Sequence, residues 1–247
     1  MRRQILLALA LLLTGPTLAV AQGFNLEQIL PAGDATVTGR MVQIILVVTV
    51  LSVAPGLLMM VTCFTRFVIV LSLLRAGMGL QTTPANLILI SLALFMTFYV
   101  MAPTFDKAWQ NGLKPFVENK INEEEAYKQI TQPLREFMRA NVRPKDHELF
   151  EDLAAERFTP PPATDGETEM RILIPAFMIS ELRRGFEMGF LVVLPFLVID
   201  MIVATLTMSM GMMMLPPTVM SLPFKILFFV LIDGWNLLIG GLVRSFP

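Results

Sequence analysis

Charge is concentrated in the middle of this chain, and this segregation limits what the chain can fold into. Residues 106–169 hold 14 acidic and nine basic residues, which is 23 of the 39 charged residues in the chain. Long apolar segments lie on both sides of this polar block and raise the mean hydropathy of the 247-residue chain to +0.66. Most of the chain is therefore expected to lie in lipid or in a large apolar assembly.

Composition and missing motifs exclude several classes of protein. Hydrophobic residues make up 55% of the chain and the net charge is −1, which excludes a disordered tail and a nucleic-acid binder driven by basic charge. The single cysteine, Cys63, allows no intramolecular disulfide, and the single histidine, His147, allows no multi-histidine metal site. The sequence contains no phosphate-binding glycine loop and no G-x-S-x-G, H-E-x-x-H or C-x-x-C motif. We therefore predict no enzymatic activity, no metal and no cofactor.

The first 21 residues have the pattern of a cleavable signal peptide. Arg2-Arg3 precedes the apolar run 5–13, and Ala19-Val20-Ala21 matches a small-x-small cleavage site. The apolar run is shorter than the roughly 20 residues that cross a bilayer, which argues against an uncleaved membrane helix. Residues 22–40 would then form an N-terminal extracytoplasmic segment.

Four apolar segments follow the signal peptide. They occupy residues 41–63, 86–101, 186–214 and 219–243. We predict an all-α integral membrane protein in which residues 41–101 form a first helical pair and residues 171–247 a second helical hairpin with a turn at Leu215-Pro216-Pro217.

Basic residues near these segments agree only in part with single crossings from an outside N-terminus. Arg66 and Arg75 would then fall on the inner side, as the positive-inside rule expects, but Arg183-Arg184 would fall on the outer side. Helices packed within protein explain this placement better than simple lipid-facing rods.

The polar block, residues 102–170, is predicted to be a helical extracytoplasmic insert. Asn122 followed by Glu125 resembles a helix N-cap with a glutamate three residues on. The segment Thr159-Pro160-Pro161-Pro162 and the residues up to 169 read as a proline-rich linker. Between these two features, apolar residues recur at helical spacing, at Ile130, Leu134, Phe137 and Met138.

Two charges inside the apolar segments, Asp200 and Lys225, form a candidate pair. A charge at membrane depth costs about 2.5–3.5 kcal/mol on insertion scales, so it usually has a partner or a wet cavity. Measured from a turn at Pro216-Pro217, Asp200 lies about 25 Å away along its helix and Lys225 about 12 Å. The mismatch shrinks by about 8 Å if the helix ends at Gly211. We predict that the two charges pair, within one chain or between copies. Separate water or backbone partners are the alternative.

Methionines are concentrated next to the predicted turn. Six of the 18 methionines fall between Met208 and Met220, and three are consecutive, at positions 212–214. Methionine is most often a soft filler of apolar cores. Three consecutive residues cannot share one helix face, however, and Gly211 and Pro216 bracket them as a loop. A ring of such loops would make a deformable seal that yields around passing cargo.

Two sequence blocks resemble the signature blocks of the flagellar biosynthetic protein FliP family, the core of the type III protein export gate. They are residues 175–190 (PAFMISELRRGFEMGF) and residues 223–235 (PFKILFFVLIDGW). The Met-rich loop between them also matches this family. So does the order of signal peptide, two apolar segments, polar insert and two further apolar segments.

The resemblance implies a core subunit of the pore through which unfolded flagellar subunits cross the inner membrane. The implied partners are other copies of the chain in a five-fold ring-like helical assembly, FliQ- and FliR-like gate proteins, other flagellar basal body components, unfolded export substrates and membrane lipid, but no nucleic acid. The implied location is the bacterial inner membrane within the flagellar basal body, with the N-terminus and the polar insert in the periplasm.

The resemblance also implies roles for particular residues. Asp200 and Lys225 correspond to a salt bridge that holds the assembly. A constriction or an interface is implied at Glu181, Phe186 and Asp233. Four methionines of the loop correspond to a gasket that seals the pore, namely Met210, Met212, Met213 and Met214.

Three alternatives to the flagellar pore stay open. The first is a pore subunit of a virulence injectisome. The second is an ion or solute carrier with Asp200 and Asp233 as proton sites. The third is a scaffold that only assembles other components.

Overall fold

The computed structural model describes residues 58–80, 84–157, 169–211 and 216–246, together with residues 45, 46, 48, 49, 52, 53 and 56. The predicted signal peptide, the N-terminal segment and the proline-rich linker lie outside the described residues, as do residues 212–215 and most of residues 41–57. The architecture described below belongs to the unit that runs from Ser52 to Pro247.

The described part of the chain is helical and holds no strand, which confirms the predicted all-α fold. The α-helices are α1 (Phe64–Gly77), α2 (Asn86–Ala108), α3 (Lys114–Val117), α4 (Glu123–Asn141), α5 (Pro144–Arg157), α6 (Glu169–Ser209), α7 (Pro217–Leu231) and α8 (Gly234–Arg244). A π-helix, Trp109–Leu113, joins α2 to α3.

Among the described residues, two helical segments are long and apolar enough to cross a membrane. One is Asn86–Val117, 32 residues that combine α2, the π-helix and α3, and the other is Met170–Ser209, 40 residues. The pair α7 and α8 would make a third if it forms one span, but the two helices are bent by 64° relative to each other.

Helix ends differ from the predicted apolar segments at three places. Helix α2 continues past residue 101 into the polar block, and α6 begins at Glu169 rather than at residue 186. Helix α6 continues through charged positions because its hydrogen bonds are formed between backbone groups and do not depend on the charge of the side chains. The predicted segment 219–243 is broken at Asp233, whose φ of 52° is left-handed and turns the chain into α8.

Helices α1 and α6 run parallel and share a fixed register. A Cβ on Gly185 would lie 3.2 Å from Ile69, and a Cβ on Gly189 would lie 2.3 Å from Leu73 Cδ1. Both contacts join residues 116 positions apart, which requires parallel helices with an identical period of four residues. The glycines let the two backbones approach closely, as small residues do in membrane helix pairs.

The polar block packs onto the N-terminal half of α6. Phe137 of α4 packs edge-on against Phe177 of α6, with ring centroids 6.0 Å apart. The Ser180 hydroxyl of α6 donates to Asp146 of α5 at 2.7 Å. These contacts hold the insert against the membrane-type helices instead of leaving it as a separate domain.

The start of α4 has the cap that the sequence predicts. The Asn122 side-chain oxygen accepts a hydrogen bond of 2.8 Å from the Glu125 backbone N–H. This contact satisfies one of the backbone donors that the first turn of a helix leaves without a partner.

Candidate functional site

Within the described part of the helical unit, two ionic junctions lie in the interior, one at each end of the α1–α6 contact. The first joins Arg66 at the start of α1 to Glu181 of α6. The Arg66 Nε donates to Glu181 Oε2 at 2.8 Å, and its Nη2 donates to Oε1. Neither side chain is exposed to solvent. This bidentate geometry satisfies the carboxylate with two charge-assisted hydrogen bonds.

The same arginine also holds the C-terminal end of the described chain. Arg66 Nη1 donates to the Ser245 hydroxyl at 2.8 Å and to the Ser245 carbonyl oxygen at 3.2 Å. The guanidinium carbon lies 3.6 Å from the ring centroid of Phe246, a close cation–π contact. The guanidinium group of Arg66 thus contacts both α6 and the residues that follow α8.

The second junction is centred on Lys225 of α7. Its ammonium donates to Asp200 Oδ2 at 2.6 Å and to the carbonyl oxygen of Gly77 at 2.9 Å. Lys225 is buried, and the second Asp200 oxygen accepts a hydrogen bond from the Ser221 hydroxyl. Three helices meet at this one ammonium group.

The geometry of the hairpin explains how Asp200 and Lys225 meet. Helix α6 ends at Ser209, and α7 begins at Pro217. Gly211 has a φ of 74°, a left-handed conformation that suits glycine at a helix end. Asp200 is nine residues before the end of α6 and Lys225 eight residues after the start of α7, so both lie at one depth.

Lys225 also stabilises the C-terminal end of α1. The carbonyls of the last helical turn have no partner within the helix and carry partial negative charge. Gly77 is the last residue of α1, and its carbonyl oxygen accepts a hydrogen bond from the positively charged ammonium group of Lys225. The Asp200–Lys225 pair therefore fixes the position of α1 as well as the hairpin.

The remaining predicted site residues do not join either junction, apart from Glu181. Phe186 and Asp233 are exposed, and Asp233 accepts a hydrogen bond of 3.1 Å from the Asn236 side chain. The structure therefore places neither residue in a closed interior site of one copy.

The predicted gasket lies only in part within the described residues. Met210 is exposed at the tip of the hairpin, with 70% of its surface accessible. The other three gasket residues, Met212, Met213 and Met214, lie outside the described residues, so their proposed seal stays a prediction.

Sequence reasoning identified neither the partners of Arg66 nor the role of Ser245. From the sequence, Arg66 is only a positive charge on the inner side of the membrane. The one available signal is that Arg66 and Glu181 both lie next to long apolar runs, where a lone charge is expensive. The described residues contain no group of three or more His, Cys, Asp or Glu side chains that could hold a metal ion.

Comparison with known proteins gives the family. A family model described as the FliP family matches residues 47–242. The chain is 59% identical over 243 residues to the flagellar biosynthetic protein FliP of Agrobacterium fabrum (strain C58), covering 98% of this chain and 99% of that protein. It is 47% identical over 218 residues to the flagellar biosynthetic protein FliP of Bacillus subtilis (strain 168), covering 88% and 97%. The chain therefore belongs to the FliP family and is a membrane component of the flagellar protein export apparatus.

Proposed function

We propose that this chain is a pore-forming subunit of the flagellar type III protein export gate, which passes unfolded flagellar subunits across the inner membrane. The observation that carries this proposal is the large apolar surface that one copy leaves exposed. Along α6, exposed residues include Leu191, Val198, Met201 and Leu206. The buried charges of Arg66, Glu181, Asp200 and Lys225 are paired within one copy. The outer faces of the helices are therefore apolar and available to pack against neighbouring subunits.

The exposed faces suit packing against other copies and against FliQ- and FliR-like gate proteins. On α7, Leu227, Val230 and Leu231 are exposed, next to the buried Lys225 junction. Two long helices and a bent pair provide rigid walls for a ring of copies, and the ionic junctions fix the shape of each copy. The inner membrane of the basal body, with the polar insert on the periplasmic side, is the location that we infer for this assembly.

The hairpin tip is the proposed gasket. Met210 is exposed there, and Met212, Met213 and Met214 follow it in the sequence. Thioether side chains are unbranched and polarizable, so they adapt to one another at small cost in torsional energy. In a ring of copies, these side chains would block water and ions while yielding to an unfolded chain.

Asp200 and Lys225 support the pore from within each copy. Their contact at 2.6 Å is intrachain, so we assign the pair to the rigidity of the hairpin that carries the gasket. Arg66 holds the Glu181 carboxylate in the interior of the copy. We therefore propose that Glu181 affects the constriction indirectly, by fixing the position of α6.

Phe186 and Asp233 are the residues that we propose for contacts with neighbouring subunits. Both side chains are exposed on one copy. An exposed phenylalanine on a membrane-type helix is suited to a protein or lipid neighbour, and the Asp233 carboxylate needs a polar one.

Secretion in a deletion strain tests this function. The strain would be complemented with this gene, and hook and filament subunits would be assayed in the culture supernatant. We expect restored secretion with the wild-type gene and a loss of secretion with Asp200→Ala. Arg183→Ala is the control. Among the residues that the structure describes, Arg183 pairs only with Glu187, at an exposed position, so this variant should secrete normally.

Two results would contradict the proposal. A stably inserted protein that restores no flagellar secretion would favour the injectisome-type pore. Uptake of an ion or solute by the purified chain alone would favour a carrier. Both relatives are named flagellar biosynthetic proteins, which favours the flagellar branch.

A further inference from the structure

Most acidic side chains of residues 170–246 are paired within one copy, and one is not. This part of the chain contains four acidic and five basic residues. Three of the acids are engaged, in the ion pairs Arg66–Glu181, Arg183–Glu187 and Asp200–Lys225. The fourth acid is Asp233, which forms no ion pair with any residue that the structure describes. Its charge is therefore available to a group outside the copy.

Asp233 lies at the break between α7 and α8, within exposed apolar surface. Its Oδ2 accepts a hydrogen bond of 3.1 Å from the Asn236 side chain. Leu231 and Leu237 beside it in the sequence are 74% and 64% accessible. A neighbouring subunit that covers these leucines would also remove water from the Asp233 carboxylate. A carboxylate that loses its water needs a counter-charge.

A polar cavity at the other end of α8 offers such a counter-charge. The cavity has a volume of about 510 Å³ and lies beside the Arg66–Glu181 junction. Its wall includes Arg184 of α6 and Arg244, the last residue of α8. Arg184 is half-buried and Arg244 is exposed, so a group from outside the copy can reach both side chains.

The polar cavity carries an excess of positive charge. Within the described part of the chain, Arg184 and Arg244 make no hydrogen bond and no ion pair. The two other charged residues of the wall, Arg66 and Glu187, are neutralised by ion pairs of their own. Two guanidinium groups thus keep their donors available. A guanidinium group binds a carboxylate through two parallel hydrogen bonds.

Asp233 and the polar cavity do not meet within one copy. Asp233 directly precedes α8 and Arg244 ends it, so the 11 residues of this helix hold the two apart by about 16 Å. The cavity adjoins the exposed apolar surface of α6, because Met188 in its wall lies between the exposed Phe186 and Phe190 in the sequence. A neighbouring copy packed on this surface would lie at the opening of the cavity.

We propose that the Asp233 carboxylate of one copy pairs with Arg184 and Arg244 in the polar cavity of the next copy. This inference rests on the proposed function, because it requires that copies assemble. The acid and the cavity are different patches of one copy, so the contact is head-to-tail and continues from copy to copy, as a ring-like assembly requires. The charges also select one register between neighbours, because other registers leave them unpaired.

Charge reversal in two differently tagged copies of the full-length chain tests the pair. One copy carries Asp233→Arg and the other carries Arg184→Asp/Arg244→Asp. Co-purification from detergent-solubilised membranes measures the association of the copies. We expect each variant to lose roughly tenfold in association with itself. A mixture of the two variants should recover most of that loss, because each side chain at position 233 then faces a cavity of opposite charge.

Matched variants control for effects on folding. Arg171→Glu should associate like the wild type, because Arg171 is exposed on α6 and is not part of the cavity wall. Circular dichroism reports whether each variant is helical. If the reversed variants do not fold, Asp233→Asn and Arg184→Gln/Arg244→Gln replace them. Asparagine tolerates the left-handed backbone at position 233, where φ is 52°. Combining these neutral changes should cost no more association than either one alone.

Two outcomes would overturn the proposed pair. Full self-association of both reversed variants would show that the charges lie outside the contact between copies. A loss that the mixture does not restore would show that Asp233 and the polar cavity have separate partners. Either result, with wild-type copies that associate and secrete, leaves the proposed export function standing. Wild-type copies that do not associate would instead contradict the assembly on which both proposals depend.

Discussion

Arg66 of α1 and Glu181 of α6 form a bidentate ion pair that solvent does not reach. The pair lies at the N-terminal end of the parallel α1–α6 contact, and Lys225 closes the C-terminal end of the same contact through Gly77. Between the two junctions, glycines on α6 bring the helices together. A short helix of 14 residues is thus held at both ends by charge and along its length by close packing.

Glu181→Ala should strongly destabilise the protein. Removal of the carboxylate leaves the Arg66 guanidinium buried without a counter-charge, which costs about 3–5 kcal/mol in comparable buried pairs. Thermal unfolding of the detergent-solubilised protein, followed by circular dichroism, measures the effect. Arg183→Ala is the control and should change stability by less than about 1 kcal/mol, because the Arg183–Glu187 pair is exposed.

A double variant, Arg66→Met/Glu181→Met, should recover much of that loss. Apolar residues of similar length remove the desolvation penalty of both charges at once, which is often neutral or stabilising in other proteins. Recovery will be partial because the Ser245 hydroxyl also loses Arg66 as a partner. A single Glu181→Ala variant as stable as the wild type would refute the structural role assigned to the pair.

Gly189→Ala should destabilise the α1–α6 contact, although alanine is the better helix former. Its Cβ would lie 2.3 Å from Leu73 Cδ1 and 3.1 Å from Leu73 Cβ, so the leucine must move. Overpacking of this kind typically costs about 1–3 kcal/mol. Gly241→Ala is the matched control in α8, where a new Cβ meets no atom within 4 Å. That variant should be neutral or stabilised by up to about 1 kcal/mol.

Shortening Leu73 should relieve the clash that Gly189→Ala introduces. Leu73→Ala removes the atoms that a Cβ on Gly189 would meet, so adding Gly189→Ala to Leu73→Ala should cause little further loss. Thermal unfolding of the two single variants and the double variant forms a double-mutant cycle. Strictly additive losses would show that the two residues are not in contact.

Reversing both charges of the Asp200–Lys225 pair should restore little of the secretion that either single reversal removes. Either single reversal places two like charges together in a buried site, and secretion should fall to a small fraction of the wild-type level. The double reversal Asp200→Lys/Lys225→Asp restores opposite charges but points a carboxylate at the Gly77 carbonyl, which then loses its donor. We expect clearly less than half of wild-type secretion from the double variant. Full rescue would show that Gly77 is not an essential partner of Lys225.

Shortening the side chains of Met212, Met213 and Met214, which we propose for the gasket, should make the membrane leak. We expect the triple variant Met212→Ala/Met213→Ala/Met214→Ala to raise ion permeability, measured with a membrane-potential dye, while some flagellar secretion continues. Met201→Ala is the control, because Met201 is an exposed methionine in the middle of α6. Unchanged ion permeability in the triple variant would count decisively against the proposed gasket.

Local sequence signals were sufficient for several features. The N-cap at Asn122 follows from the capping oxygen of asparagine and the glutamate three residues later, and the structure contains that hydrogen bond. The all-α fold follows from apolar segments too long for strands. The end of α6 near Gly211 follows from the conformational freedom of glycine, and the structure places Gly211 in the left-handed region.

Sequence alone did not determine how the helices meet. Nothing within α1 specifies that Arg66 faces Glu181, 115 residues later, or that the Gly77 carbonyl faces Lys225. The ends of α2 and α6 also differ from prediction, because the backbone hydrogen bonds of a helix continue through positions that carry charged side chains. The helices themselves were set by local periodicity, capping and apolar length, which act within a few residues. The ionic junctions and the polar cavity depend on packing between distant helices, and only the tertiary structure decided them.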